Sequence, residues 1–257
     1  MNLVQRIWRS SLGRKYLMAG TGAALFFFLI GHLLGNLQIF GPPELINNYA
    51  HFLQSKPELV WTARLGLLAI LSVHIASAVS LSAQNRAARP IAYASGKPAY
   101  GAPVASRTML VSGLIILAFV IYHLLHFTAL LPQINGTGKD FSHLETTLPT
   151  GARSHDVYAM MLLGFRVWWV SLFYLIAQGL LFMHLSHGLA SMFQSLGWRS
   201  FAWWPRVALG ARIASVVLFL GYASIPVAAM AGLGGSYLQT VKATAAISSV
   251  SGKEVAR

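Results

Sequence analysis

The chain contains no cysteine. Disulfide scaffolds, thiolate metal sites, iron–sulfur ligation and thioether-attached haem are therefore excluded from it, and any metal must be held by histidine or oxygen. Acid is nearly as scarce, with six Asp and Glu against 19 Lys and Arg and a formal charge of +13. Charged residues of both signs fill only 10% of the 257 positions, where an ordinary soluble domain carries about a quarter. In their place the chain is 56% hydrophobic with a mean hydropathy of +0.60, the composition of a membrane protein. The excess of base does not point to nucleic acid, because no basic run is interleaved with aromatics on a soluble module; membrane topology accounts for it better.

A spanning helix needs about 20 apolar residues, and five stretches meet that standard: Leu17 to Phe40, Leu59 to Ala83, Met109 to Leu131, Tyr158 to Met192 and Val207 to Leu233. The first follows a basic N-terminus as a signal peptide would, yet its apolar run is far longer than a signal core, so it reads as a retained anchor. The expected fold is all-α, an integral bundle of five transmembrane helices in one domain over residues 1–233. The small, polar residues 234–257 are expected to be a disordered tail. No internal repeat is evident.

The loops orient the bundle. The N-terminus (Arg6, Arg9, Arg14, Lys15), the second loop (Arg86, Arg89, Lys97, Arg107) and the fourth (Arg199, Arg206, Arg212) hold 11 basic residues and no acid. The other side holds Lys56, Arg64, Lys139, Arg153, Arg166, Lys242, Lys253 and Arg257 with all six acids, Glu44, Glu58, Asp140, Glu145, Asp156 and Glu254. The positive-inside rule then puts the N-terminus in the cytoplasm. No carboxylate falls inside a span, which argues against an acid-based proton relay or ion pump.

Histidine is what the spans do contain. Six of the nine lie within them, His32, His74, His123, His126, His184 and His187, and an imidazole in lipid is costly enough to read as functional. At 1.5 Å per residue, His32 lies about 22 Å in from Leu17 and His123 about 24 Å in from Arg107, while His74 and His184 lie about 14 and 12 Å from the cytoplasmic ends of their own helices. The four form two levels roughly 10 Å apart. Two histidines from facing helices at one depth suit a six-coordinate haem iron, whereas zinc would want further ligands that are absent at each level. His187 sits one turn from His184 and would serve by rotation alone, but depth favours His184, leaving His187 as a candidate partner of a haem propionate. By the same logic His123 is preferred to His126, which is expected nearer the outer surface beside a quinone or a propionate. Small residues around the ligands, Gly31, Gly35, Ala76, Ala78, Gly179 and Gly188, suit either a porphyrin or close helix crossing.

Taken in order, "GHLLGNLQIF", "NNYAHF", "SVHIASAVSL", "QNRAARPIAYA", "IYHLLHF" and "MHLSHGLASMFQSLGW" resemble the five-helix dihaem cytochrome b membrane anchor of succinate dehydrogenases and fumarate reductases. The resemblance runs from about Ser11 to Gly232. It implies two haems b, a proximal one on His74 and His184 and a distal one on His32 and His123, the pairing the depths suggest independently. It also implies flavoprotein and iron–sulfur subunits on the cytoplasmic face of a bacterial inner membrane, and exchange of electrons with menaquinone or ubiquinone in a respiratory chain. Succinate itself would be handled by the soluble subunits. Relatives often carry a carboxylate three residues after the histidine of the "HF" segment; here that position is Gln54, which bonds a quinone but takes no proton, so His51 is the candidate for that role. Relatives also carry asparagine at the position of His187, and some a glutamate where this chain has Phe182, so no carboxylate-mediated proton return through the fourth helix is expected. A cytochrome b anchor for another quinone-linked dehydrogenase is the nearest alternative. A transporter with intramembrane histidines would show broken helices or a repeat.

Overall fold

A computed structural model describes residues 2–88 and 104–241. Arg89, Lys97, Lys242, Lys253, Glu254 and Arg257 lie outside the described residues. The chain runs α1 (Leu3–Arg9), α2 (Ser11–Asn36), a 3-10 turn (Leu37–Phe40), α3 (Pro43–Gln54), α4 (Pro57–Ala87), α5 (Val104–Phe127), a second 3-10 turn (Phe141–His143), β1 (Glu145–Thr147), β2 (Arg153–His155), α6 (Val157–Phe165), α7 (Trp168–Ser195) and α8 (Trp204–Met230). Among the described residues five helices are long and apolar enough to cross a membrane: α2 with its 3-10 extension, α4, the Thr108–Phe127 part of α5, α7 and α8. The protein is a multi-pass membrane bundle.

Local chemistry sets the helix ends. The Ser10 side chain accepts the Gly13 N–H to start α2, Asp156 accepts from Ala159 N–H to start α6, and proline stands in the first turn of α4 and α8. The spans turn large apolar side chains outward, among them Phe27, Leu65, Ile121 and Leu220, as a bilayer solvent permits. Several hydroxyls within them bond their own helix: Thr21, Ser72 and Ser215 donate to the carbonyls of Leu17, Leu68 and Ala211.

α2 packs against α4, α7 and α8, and α7 also packs against α5 and α8. The pair α2 and α7 is thus the middle of the bundle. On the face away from the N-terminus, α3, α6 and the antiparallel β1–β2 hairpin form a cap, with Ile39, Ile46, Phe141, Leu162, Phe165 and Val170 in its core. Asp156 ties the cap together. Its Oδ1 accepts from Asn47 Nδ2 at 3.1 Å and Ala159 N at 3.0 Å, and its Oδ2 accepts from Tyr237 Oη at 2.8 Å.

Three expectations change. The fourth apolar stretch is not one helix but two, broken at Arg166 and Val167. Its first part, α6, is almost wholly buried in the cap rather than spanning. The third helix stops at Phe127, four residues before Leu131, where Leu130 in the left-handed region (φ 55°) turns the chain. The tail does not begin unstructured: residues 235–241 are helical, Leu238 is buried and Tyr237 is bonded to Asp156.

Candidate functional site: two facing histidine pairs

Four helices bring four imidazoles together in two pairs. His74 of α4 faces His184 of α7 with ring centroids 6.5 Å apart, and His32 of α2 faces His123 of α5 at 5.7 Å. The rings of each pair are steeply inclined, at 62° and 83°. An imidazole nitrogen binds a metal at about 2 Å, so two imidazoles on opposite sides of one ion have centroids roughly 6 Å apart. Both pairs fit a bis-histidine iron. The first pair lies nearer the N-terminal face and is called near; the other, under the cap, is called far.

At the near pair the ring tautomers follow from hydroxyl chemistry. Thr21 Oγ1 lies 2.6 Å from the Leu17 carbonyl and 3.1 Å from His74 Nδ1; donating its proton to the carbonyl leaves it to accept from an Nδ1–H. Ser112 Oγ donates to the Met109 carbonyl and sits 3.4 Å from His184 Nδ1 in the same way. With Nδ1 protonated on both rings, each Nε2 keeps a free lone pair, the form a metal ligand requires. Space is provided as well. A Cβ added at Gly22 would meet His74 Cε1 at 3.3 Å, and one at Gly113 would meet His184 Cε1 at 3.5 Å.

The far pair is supported differently. Tyr174 Oη lies 3.3 Å from His123 Nδ1 and 3.2 Å from His126 Nδ1. For His123 to present a bare Nε2, its Nδ1–H donates to Tyr174 and the phenol donates on to His126 Nδ1. His126 then carries its proton on Nε2, and that atom is buried without a partner among the described residues. His126, one residue from the cap-side end of α5, is fully buried and stacked on Phe127 at 3.9 Å. His32 stacks on Phe28, while the Asn36 amide donates to the His32 carbonyl at 2.7 Å and lies 3.4 Å from the ring nitrogens.

The remaining histidines stand apart. His187 Nε2 bonds Ser191 Oγ of its own helix at 3.1 Å, whereas it is His184 that faces His74. His51 and Gln54 lie on α3, half-buried and exposed, on the cap side of the bundle. In the cap, burial pushes His155 below the usual imidazole range, with its Nε2 3.4 Å from Met160 Sδ. Burial pushes Tyr237 up to about 12, which keeps it a donor to Asp156. Asp140 is held below the usual carboxylate range by two bonds from Ser142.

Thr21, Ser112, Tyr174, Gly22 and Gly113 were not foreseen. Of the glycines singled out from sequence, Gly31 and Gly179 face open space, Gly35 abuts Tyr49 and Gly188 abuts Met109. A signal for the right ones does exist. Thr21-Gly22 precedes His32 by the same interval, 11 residues from hydroxyl to imidazole, as Ser112-Gly113 precedes His123. The first and third spans thus share one local repeat, each supplying an imidazole of the far pair and the hydroxyl and clearance for one of the near pair.

Comparison with protein-family models, curated proteins and solved structures finds no match.

Proposed function

We propose that the chain is the membrane anchor and electron-transfer subunit of a succinate:quinone oxidoreductase, and that it holds two haems b, one between His74 and His184 and one between His32 and His123. The observation that carries the haem assignment is the pairing of imidazoles from different helices at 6.5 and 5.7 Å between centroids, on either side of the roughly 6 Å that a shared iron would set. The ordered sequence motifs support the choice of enzyme. When bound, the haems supply one-electron transfer between the two levels.

The chain's own residues do the rest. Thr21 and Ser112 hold the near rings in the ligating tautomer, and Tyr174 holds His123. Surrounding apolar helices keep water from the electron path. In this reading the N-terminus and the near pair are on the cytoplasmic side of a bacterial inner membrane, where basic loops dock the iron–sulfur and flavoprotein subunits. Quinone exchanges electrons at the far side, where α3 offers His51 and Gln54 and where His126 adds a buried N–H.

The test is reduction of the assembled complex in membranes by defined donors. Succinate should reduce both haems, and fumarate should reoxidise them. Reduction by formate or hydrogen but not by succinate would assign the anchor to another dehydrogenase.

A further inference from the structure

Arg14 is a charged side chain sealed into the seam between α2 and α4. It is 5% exposed, donates to Ser80 Oγ and to the Arg9 carbonyl, and leaves its Nε without a partner among the described residues. Ser77, fully buried on α4 between His74 and Ser80, leaves its hydroxyl equally unpartnered. Two orphan donors, one of them cationic, therefore share this seam on the N-terminal side of the near pair. A buried guanidinium needs a counter-charge, and no carboxylate among the described residues pairs with it. Glu58 opens α4 19 residues before Ser77, about 30 Å along the helix. Glu44, Asp140, Glu145 and Asp156 belong to the cap, and the ion pairs described, His143–Asp140 and Arg153–Glu145, lie there too.

We infer that Arg14 and Ser77 form a receptor for an oxo-anion supplied from outside the chain, and that the anion is a propionate of the haem held by His74 and His184. The inference rests on the function proposed above. A carboxylate reaching along the seam from the near pair meets Ser77 within one turn of His74. A lipid phosphate, the other source of the same chemistry, would have to reach a side chain that is almost wholly closed to the surface. His187, the partner expected from sequence, is already engaged by Ser191.

The test is a redox titration of the detergent-extracted full-length protein as wild type, Arg14→Gln, Arg14→Lys and Ser77→Ala, with retained phosphatidylglycerol counted by native mass spectrometry. Loss of the cation favours oxidised iron. The expected result is a shift to lower potential, in Arg14→Gln, of only the haem that disappears in His74→Ala. Arg14→Lys should recover most of the shift and Ser77→Ala should show a smaller one. If Arg14→Gln does not fold, Ser77→Ala carries the readout, as a smaller downward shift of the same haem alone. Two haems at unchanged potentials in every variant would overturn the receptor, and a concurrent loss of bound phosphatidylglycerol would reassign the anion to lipid. Wild type without haem would instead overturn the function on which the inference rests.

Discussion

At the near pair, Thr21 and Ser112 give their protons to carbonyls of their own helices, so each faces its imidazole as a fixed acceptor. At the far pair Tyr174 stands between two imidazoles and can serve either. In the proposed reading the near pair would take its ligating tautomer from local helix geometry, and the far pair from the Tyr174–His126 contact. The surroundings differ in the same sense. The near pair lies in a plain helical seam, whereas the far pair is closed by a folded cap hung on the buried Asp156. One level is fixed by its own helices and the other is exposed to what its neighbours do.

The largest effect should come from filling the near pair's clearance. Gly22→Leu drives side-chain atoms against His74 and should remove one of two haems while leaving the far one, as the difference spectrum would register. Gly31→Leu, in open space, should change neither. Next, Asp156→Ala strands Asn47, Tyr237 and the Ala159 N–H and should cost about 3 kcal/mol. Faster hydrogen exchange in residues 141–165 and 235–241, with the near-pair helices unchanged, would show it. Tyr174→Phe should cost about 1–2 kcal/mol and shift the potential of the far haem alone, whereas Thr21→Val should shift the near one alone. A shift of both in either variant would erase the contrast between the levels.

The smallest effect is one of pH. His155 has its folded pKa below the unfolded 6.5, so below that value the unfolded state binds the extra proton and stability falls as pH drops. Cap exchange should therefore quicken between pH 7.5 and 5.5, after correction for intrinsic rates, and His155→Gln should flatten the trend.

The bundle was legible because lipid makes hydropathy decisive, and the pairing of His32 with His123 and His74 with His184 because an imidazole at depth is rare and its depth countable. Hydropathy could not separate α6 from α7. Both are apolar, and the 35-residue length of the run from Tyr158 to Met192, well beyond the roughly 20 a span needs, together with the charge of Arg166 inside it, hinted at a break. The cap was illegible for a different reason. Asn47, Asp156 and Tyr237 lie far apart in the chain, and nothing local in any of them announces the others. The same holds for Tyr174, which reaches His123 from another helix. Thr21 and Ser112 were within reach, since a hydroxyl and a glycine recur at one spacing before His32 and His123.

The most direct measurement is a pyridine haemochrome count with reduced-minus-oxidised spectra on wild type and on His32→Ala, His74→Ala, His123→Ala and His184→Ala. The account predicts about two b-type haems per chain, one spectral component lost in both His74→Ala and His184→Ala, and the other lost in both His32→Ala and His123→Ala. A folded wild-type protein from haem-replete cells that carries no haem, or losses that pair the histidines otherwise, would contradict it.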